Sequence, residues 1–182
     1  EVPQLKRTVN GPHVASVTAQ MGVGSSSVSV MYTLRSGARW LEIEIRAQWK
    51  EIGSAGLGTP KLSMTFPLAL ADARAQYEIP FGSIRREEHE GQEVPGLRWC
   101  DVTGKIIPGG AQEGKEIGDV GGLALLNDCK YGHSLAANVL RLTLIRSSYD
   151  PDPIPEAGEH KVRLALVPHA RALPAGEVAR LA

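Results

Sequence analysis

The chain has 182 residues, with lysine plus arginine equal to aspartate plus glutamate at 20 each and an aromatic content of 5%. Zero net charge provides no field to hold nucleic acid or an anionic membrane, and so few rings make no stacking platform for single-stranded nucleic acid. No stretch reaches the roughly 20 apolar residues of a membrane-spanning helix, and the length suits one sizeable core or at most two small ones.

The first residues, EVPQLKRTV, carry neither an initiator Met nor an apolar signal region, which predicts a processed or excised segment. SVSVMYTL then alternates Val28, Val30, Tyr32 and Leu34 with Ser29 and Thr33. That is the pattern of a strand with one dry face and one wet face. SGAR (36–39) reads as a tight hairpin turn. In WLEIEIRAQWK, Leu41, Ile43, Ile45, Ala47 and Trp49 alternate with Glu42, Glu44, Arg46, Gln48 and Lys50. KLSMTFPL sets Leu62, Met64, Phe66 and Leu68 opposite Lys61, Ser63 and Thr65. AQYEIPF sets Tyr77, Ile79 and Phe81 opposite Gln76 and Glu78.

RREEHEGQEVPG (85–96) reads as a charged, then flexible connection. The Gly-rich stretch 101–122 reads as a loop far longer than usual, a length that goes with function, disorder or a family-specific insertion. GGLALL (121–126) predicts a buried strand, and VLRLTLIR and HKVRLALVPH alternate through Leu140, Leu142 and Leu144, then Val162, Leu164 and Leu166. YDPDPIPEAG (149–158) is a stiff crossing, and the tail PAGEVARLA is the one predicted helix. Period-two strands divided by Gly- and Pro-rich turns predict an all-β fold, a large two-sheet antiparallel β-sandwich, with residues 1–182 as a single domain.

Chemistry concentrates in NDCKYG (127–132), where an acid, a thiol, an amine and a phenol follow a dry strand. Functional groups on a loop at a strand end are a common arrangement, and Asn, Asp and Gly also simply end strands. Cys129 is a nucleophile only with a base beside it, and is otherwise a thiol packed at a strand end. Cys100 and Cys129 are too few for a disulfide scaffold, so free thiols and a cytoplasmic location are expected.

His13, His89, His133, His160 and His169 show no metal-ligand spacing. His89 reads as a solvated loop residue and His169, ending a strand, as a satisfied structural histidine. Asp101, Asp119, Asp128, Asp150 and Asp152 fall in predicted loops, and a pair of them at a set separation would suit sugar hydrolysis; solvated turns are the simpler reading. The glycines of 117–122 lack the lysine and the helix of a phosphate loop, and there is no Gly-x-Ser-x-Gly elbow. Trp40 and Trp99 are candidates for stacking on sugars, whereas Trp49 belongs to a dry face.

Read in order, YEIPFGSIRRE, VPGLRWCDVTG, GLALLNDCKYG, LRLTLIRSSYDPDP and AGEHKVRLALVPH resemble the C-terminal β-domain of glycoside hydrolase family 38, the α-mannosidases. The resemblance spans about residues 75–169, is looser before that, and departs at the Gly-rich stretch after WCDVTG. It implies a galactose-mutarotase-like supersandwich and a parent enzyme that releases α-linked mannose with retention. The aspartate nucleophile and the zinc ion would belong to an N-terminal catalytic domain, and no nucleophile or zinc motif occurs in this chain. The implied partners are that domain and, through the parent, a mannose-containing glycan. Asn127, Asp128, Lys130 and Tyr131 are then candidates for a loop that lines the sugar site or docks on the neighbouring domain. Two other classes stay open. One is a free-standing carbohydrate-binding module with an exposed Trp40 or Trp99. The other is a sugar epimerase, for which His169 and Glu159 are the available pair.

Overall fold

The computed structural model describes residues 2–87, 91–107, 120–154 and 156–182. Among them, β1 (Gln4–Asn10), β2 (Val14–Val23), β3 (Ser26–Arg35), β4 (Leu41–Trp49) and β5 (Lys61–Pro67) come first. Next come β6 (Leu70–Ile79), β7 (Gly82–Arg86), β8 (Val94–Pro95), β9 (Trp99–Ile106) and β10 (Val120–Asn127). β11 (Gly132–Ala136), β12 (Val139–Arg146), β13 (Gly158–His169) and the helix α1 (Ala175–Leu181) complete the order. The architecture is an all-β sandwich of two antiparallel sheets, as the period-two pattern predicts. Two compact units divide the chain: residues 1–63 with 144–165, and residues 64–143 with 166–182.

In the first unit the strand order is β1-β2-β3-β4-β13. Register partners share a face, so Ala19, Val30 and Ile45 stack on one side with Val28 and Ala47. Their burial, with Ile43, Trp49, Val162 and Leu164, forms this unit's core. Each fully buried large aliphatic side chain contributes about 1.5–3 kcal/mol. Trp49 lies on that dry face as predicted, and its Nε1 donates to Ser147 Oγ at 2.6 Å. The sequence pattern leaves β1 and β2 out, because their apolar residues alternate poorly. β1 is exposed along its whole length, and Lys6, Arg7 and a bulge after Arg7 mark it as a protected sheet edge.

In the second unit the order is β13-β10-β9-β6-β7, and the other sheet runs β5-β12-β11-β8. Trp99, Cys100, Asp101 and Val102 are consecutive and all buried, so β9 is covered on both faces. Here the stretch 101–122 departs from its reading as one long loop. Residues 101–106 belong to β9 and residues 120–122 to β10, paired Val120 to Lys105, Gly121 to Gly104 and Gly122 to Thr103. Among the described residues, the glycines of this stretch, Gly104, Gly121 and Gly122, are strand glycines without room for a side chain. A Cβ on Gly122 would fall 2.0 Å from the Val102 carbonyl oxygen, and one on Gly104 2.7 Å from that of Ala71. Close backbone approach is a standard reason for glycine within a strand. Residues 108–119, which include Asp119, lie outside the described residues, as does His89 in 88–90.

Phe81 also differs from its sequence reading. Ile79 pairs with Gly82, so Pro80 and Phe81 form the tip of the β6–β7 hairpin. Phe81 has φ of 66° and is fully exposed rather than on the dry face with Tyr77. The tail does form the predicted helix, with Val178 buried and Arg171 paired to Glu177 at 2.6 Å.

Candidate functional site

The NDCKYG loop joins the end of β10 to the start of β11. Its shape comes from Asn127, which is buried. The amide Nδ2 donates to the Leu97 carbonyl at 2.9 Å. Oδ1 accepts from the backbone N–H of Cys129 at 3.2 Å and of Lys130 at 2.6 Å. An amide that holds two backbone N–H groups just after itself is an Asx turn, the residue's usual local use. Asn127 is therefore the fastener of the loop and not a group it offers outward.

The remaining members sit around that turn. Asp128 is exposed, Lys130 is half-buried, and Tyr131 is 56% exposed. Cys129 is exposed, not packed at the strand end as one sequence reading had it. Desolvation of the sulfur, reinforced by Asp128, pushes its thiol up to about 11. At neutral pH it is a protonated, poorly nucleophilic thiol, since reactivity follows the thiolate. The thiol of this loop is therefore not an activated nucleophile.

Beneath the loop lies a group that the sequence hides. His133 is the second residue of β11 and is fully buried. Its Nδ1 faces the Tyr131 carbonyl at 3.3 Å, its ring meets Tyr77 edge-on at 5.7 Å, and its Nε2 has no hydrogen-bond partner among the described residues. Burial drives its pKa down to about 4, with Arg86 adding to the shift, so the imidazole is neutral. The guanidinium of Arg86 lies 5.3 Å over the Tyr77 ring, and a Cβ on Gly96 would stand 3.0 Å from His133 Nδ1. Gly96 is small because this histidine is there. A lone histidine after KYG carries no pattern that would announce such a pocket.

Other predicted groups resolve differently. Asp101 lies in β9, not in a loop, and is buried against His169 at the end of β13. His169 Nε2 donates to Asp101 Oδ1 at 2.8 Å and Nδ1 donates to the Arg171 carbonyl at 2.6 Å; Thr103 Oγ1 donates to the other Asp101 oxygen at 3.0 Å. Although burial opposes it, the bond to Asp101 raises the His169 pKa. Both nitrogens are occupied, so His169 is the satisfied structural histidine of the sequence reading and has no lone pair for epimerase chemistry. Glu159, its proposed partner, is an exposed residue of the first unit.

Asp150 and Asp152 are exposed in the Pro-rich crossing, where Asp152 Oδ1 accepts from the Ile154 N–H at 3.1 Å. That is turn chemistry. Trp99 is buried, so it presents no ring to a sugar, while Trp40 remains 37% exposed. Among the described residues, no three His, Cys, Asp or Glu side chains converge in a way that could hold a metal ion. The donor sets present do not fit zinc: the Asp101–His169 pair is buried and spends its nitrogens on hydrogen bonds.

Comparison with known proteins places this geometry. The family model described as the glycosyl hydrolases family 38 C-terminal domain matches residues 3–154. Alpha-mannosidase 2C1 of Homo sapiens is 32% identical over 152 residues, covering 80% of this chain and 13% of that protein. Alpha-mannosidase G of Dictyostelium discoideum is 28% identical over 162 residues, covering 85% of this chain and 13% of its own length. An alpha-mannosidase from Enterococcus faecalis V583 superposes with a TM-score of 0.68 at 12% identity, over 93% of this chain and 22% of that one. The chain thus spans about an eighth of the curated relatives it matches, and the structural likeness speaks for the fold. By the extent of the family match, this chain belongs to the C-terminal domain family of glycosyl hydrolases family 38.

Proposed function

We propose that residues 1–182 work as one non-catalytic C-terminal β-sandwich domain of a larger α-mannosidase, packed on an N-terminal catalytic domain of the same chain. The parent hydrolyses α-linked mannose from glycans with retention, in the cytoplasm, and its zinc ion is held by the catalytic domain. The observation that carries this reading is the family match over residues 3–154, aligned with only a small share of each curated α-mannosidase. Two free cysteines agree with a reducing compartment. No helix among the described residues is long and apolar enough to cross a membrane, which says nothing of a β-barrel.

Within that reading the NDCKYG loop faces the catalytic domain. Asn127 sets its shape, and Asp128, Lys130 and Tyr131 are the groups offered to the sugar or to the neighbouring surface. Lys130→Ala and Asp128→Ala, made in the full-length enzyme, then lower kcat/KM for an aryl mannoside or lower the unfolding temperature. Unchanged kinetics together with unchanged stability remove the loop from the site. A free-standing carbohydrate-binding module is the second reading, favoured by the exposure of Trp40.

A further inference from the structure

The polar face of the first unit is assembled by strand register. Gln4 pairs with Gln20, Gln20 with Ser29 and Ser29 with Arg46, so one row of four side chains crosses β1, β2, β3 and β4. At about 4.8 Å between neighbouring strands, the row is roughly 14 Å long. In the adjacent row Ser27 pairs with Gln48. An open groove of about 770 Å³ lies over these residues, with Lys161 of β13 also on its wall. A well-formed concavity with a few converging polar groups is the ordinary form of a ligand site.

The state of those groups narrows the ligand. Gln4, Gln20, Ser29 and Gln48 make no side-chain hydrogen bond among the described residues. The nearby cations are already engaged: Arg46 Nη2 and Lys161 Nζ lie 2.8 and 3.2 Å from Glu44, and Arg163 Nε lies 3.6 Å from it. On the groove wall the positive charges of Arg46 and Lys161 are offset by Glu159, also on the wall, and by Glu44, so the groove presents no excess of cations to a phosphate or a nucleic acid. An apolar helix needs an exposed apolar floor, and of the groove's apolar residues Val28 and Ala47 are themselves buried. What stays open is a row of neutral amides and a hydroxyl, each able both to donate and to accept. Adjacent sugar hydroxyls present the same mixture.

We propose that this face is a binding groove for a neutral, mannose-containing oligosaccharide, laid across β1 to β4 along Gln4, Gln20, Ser29 and Gln48. The choice of mannose rests on the α-mannosidase reading above; the groove itself does not. In the parent enzyme such a groove would hold a glycan by a part that is not being cleaved.

The test is a titration of the 182-residue chain, labelled with nitrogen-15, with mannotriose and separately with maltotriose. Mannotriose should shift the side-chain amide signals of Gln4, Gln20 and Gln48 saturably, and Gln20→Ala with Gln48→Ala should weaken binding at least tenfold while the unfolding temperature holds. If the double variant fails to fold, the single variants Gln20→Ser and Gln48→Ser provide the same comparison. No saturable shift with either sugar, or binding unchanged in folded variants, overturns the groove. Saturation by maltotriose alone overturns the choice of mannose. Aryl-mannoside hydrolysis by the full-length parent is read separately, so a failed groove and a failed family reading give different results.

Discussion

Two buried histidines in the second unit have their pKa values pushed in opposite directions. His133, in β11, is surrounded by Tyr77, Gly96 and the Tyr131 carbonyl, and its Nε2 has no hydrogen-bond partner among the described residues. His169, at the end of β13, points one nitrogen at a carboxylate and the other at a carbonyl. Burial penalises the charged form in both places. The difference is Asp101, a counter-charge that is itself buried and tied down by Thr103. Burial by itself disfavours the charged imidazole; burial beside a fixed carboxylate, with an acceptor for the second N–H, favours it. The first arrangement makes a packing residue, the second a polar fastener between β9 and the end of β13.

Removing the counter-charge is the harshest way to break this contrast. Asp101→Ala leaves His169 buried with an unpaired Nε2, and breaking a buried ion pair from one side costs about 3–5 kcal/mol. We expect that loss in urea unfolding at neutral pH, together with a fall of the His169 pKa, read by NMR, to below the ordinary histidine value. Asp101→Asn keeps an acceptor in place of the charge and should cost less, about 1–3 kcal/mol. Equal losses in the two variants would mean that the charge is irrelevant and only the hydrogen bond matters.

The pH dependence of stability sharpens the same contrast, with opposite signs at the two sites. His133 has a folded pKa of about 4, below the unfolded value of about 6.5. Its contribution is therefore complete above the unfolded value and is lost as pH falls toward the folded one. The shift corresponds to about 3 kcal/mol. His169 has a raised folded pKa, so its contribution is complete below the unfolded value and is lost as pH rises through the folded one. His133→Leu, which fills an apolar site with an apolar side chain, should remove the acid-side loss and leave the alkaline side as it was. Asp101→Asn should do the reverse. Variant and wild-type profiles that superpose over both ranges would contradict the assignment of states.

How much of this could be read in advance varies with the kind of signal. Alternation made the strands around Trp49 and Leu142 plain, because each has one dry and one wet face and the period survives in the letters. It failed at β9, where Trp99, Cys100, Asp101 and Val102 are all buried and a strand covered on both faces has no period. It failed again at Gly104, Gly121 and Gly122, where composition suggests flexibility and packing demands the absence of a side chain. The loop cluster at 127–132 was visible as chemistry, yet the division of labour within it depends on where Leu97 lies, 30 positions away from Asn127. The Asp101–His169 pair is separated by 68 positions, and only the β10 strand lying between β9 and β13 in the sheet brings their ends together.

Asn127 adds a neutral case to the two histidines and supports the smallest of these effects. Like His169 it is buried and satisfied on both ends, and like His133 it carries no charge. Truncating it leaves the Leu97 carbonyl without its amide and the Cys129 and Lys130 N–H groups without their acceptor. Those N–H groups belong to an exposed loop, so water replaces part of what is lost, and Asn127→Ala should cost only about 1–2 kcal/mol. Tyr131→Phe, on an exposed side chain, should stay within about 0.5 kcal/mol. In the full-length enzyme the ranking of activities then separates shape from contact. If Asn127→Ala lowers kcat/KM while Lys130→Ala and Tyr131→Phe leave it unchanged, the loop matters through its backbone course, and its reactive side chains are bystanders.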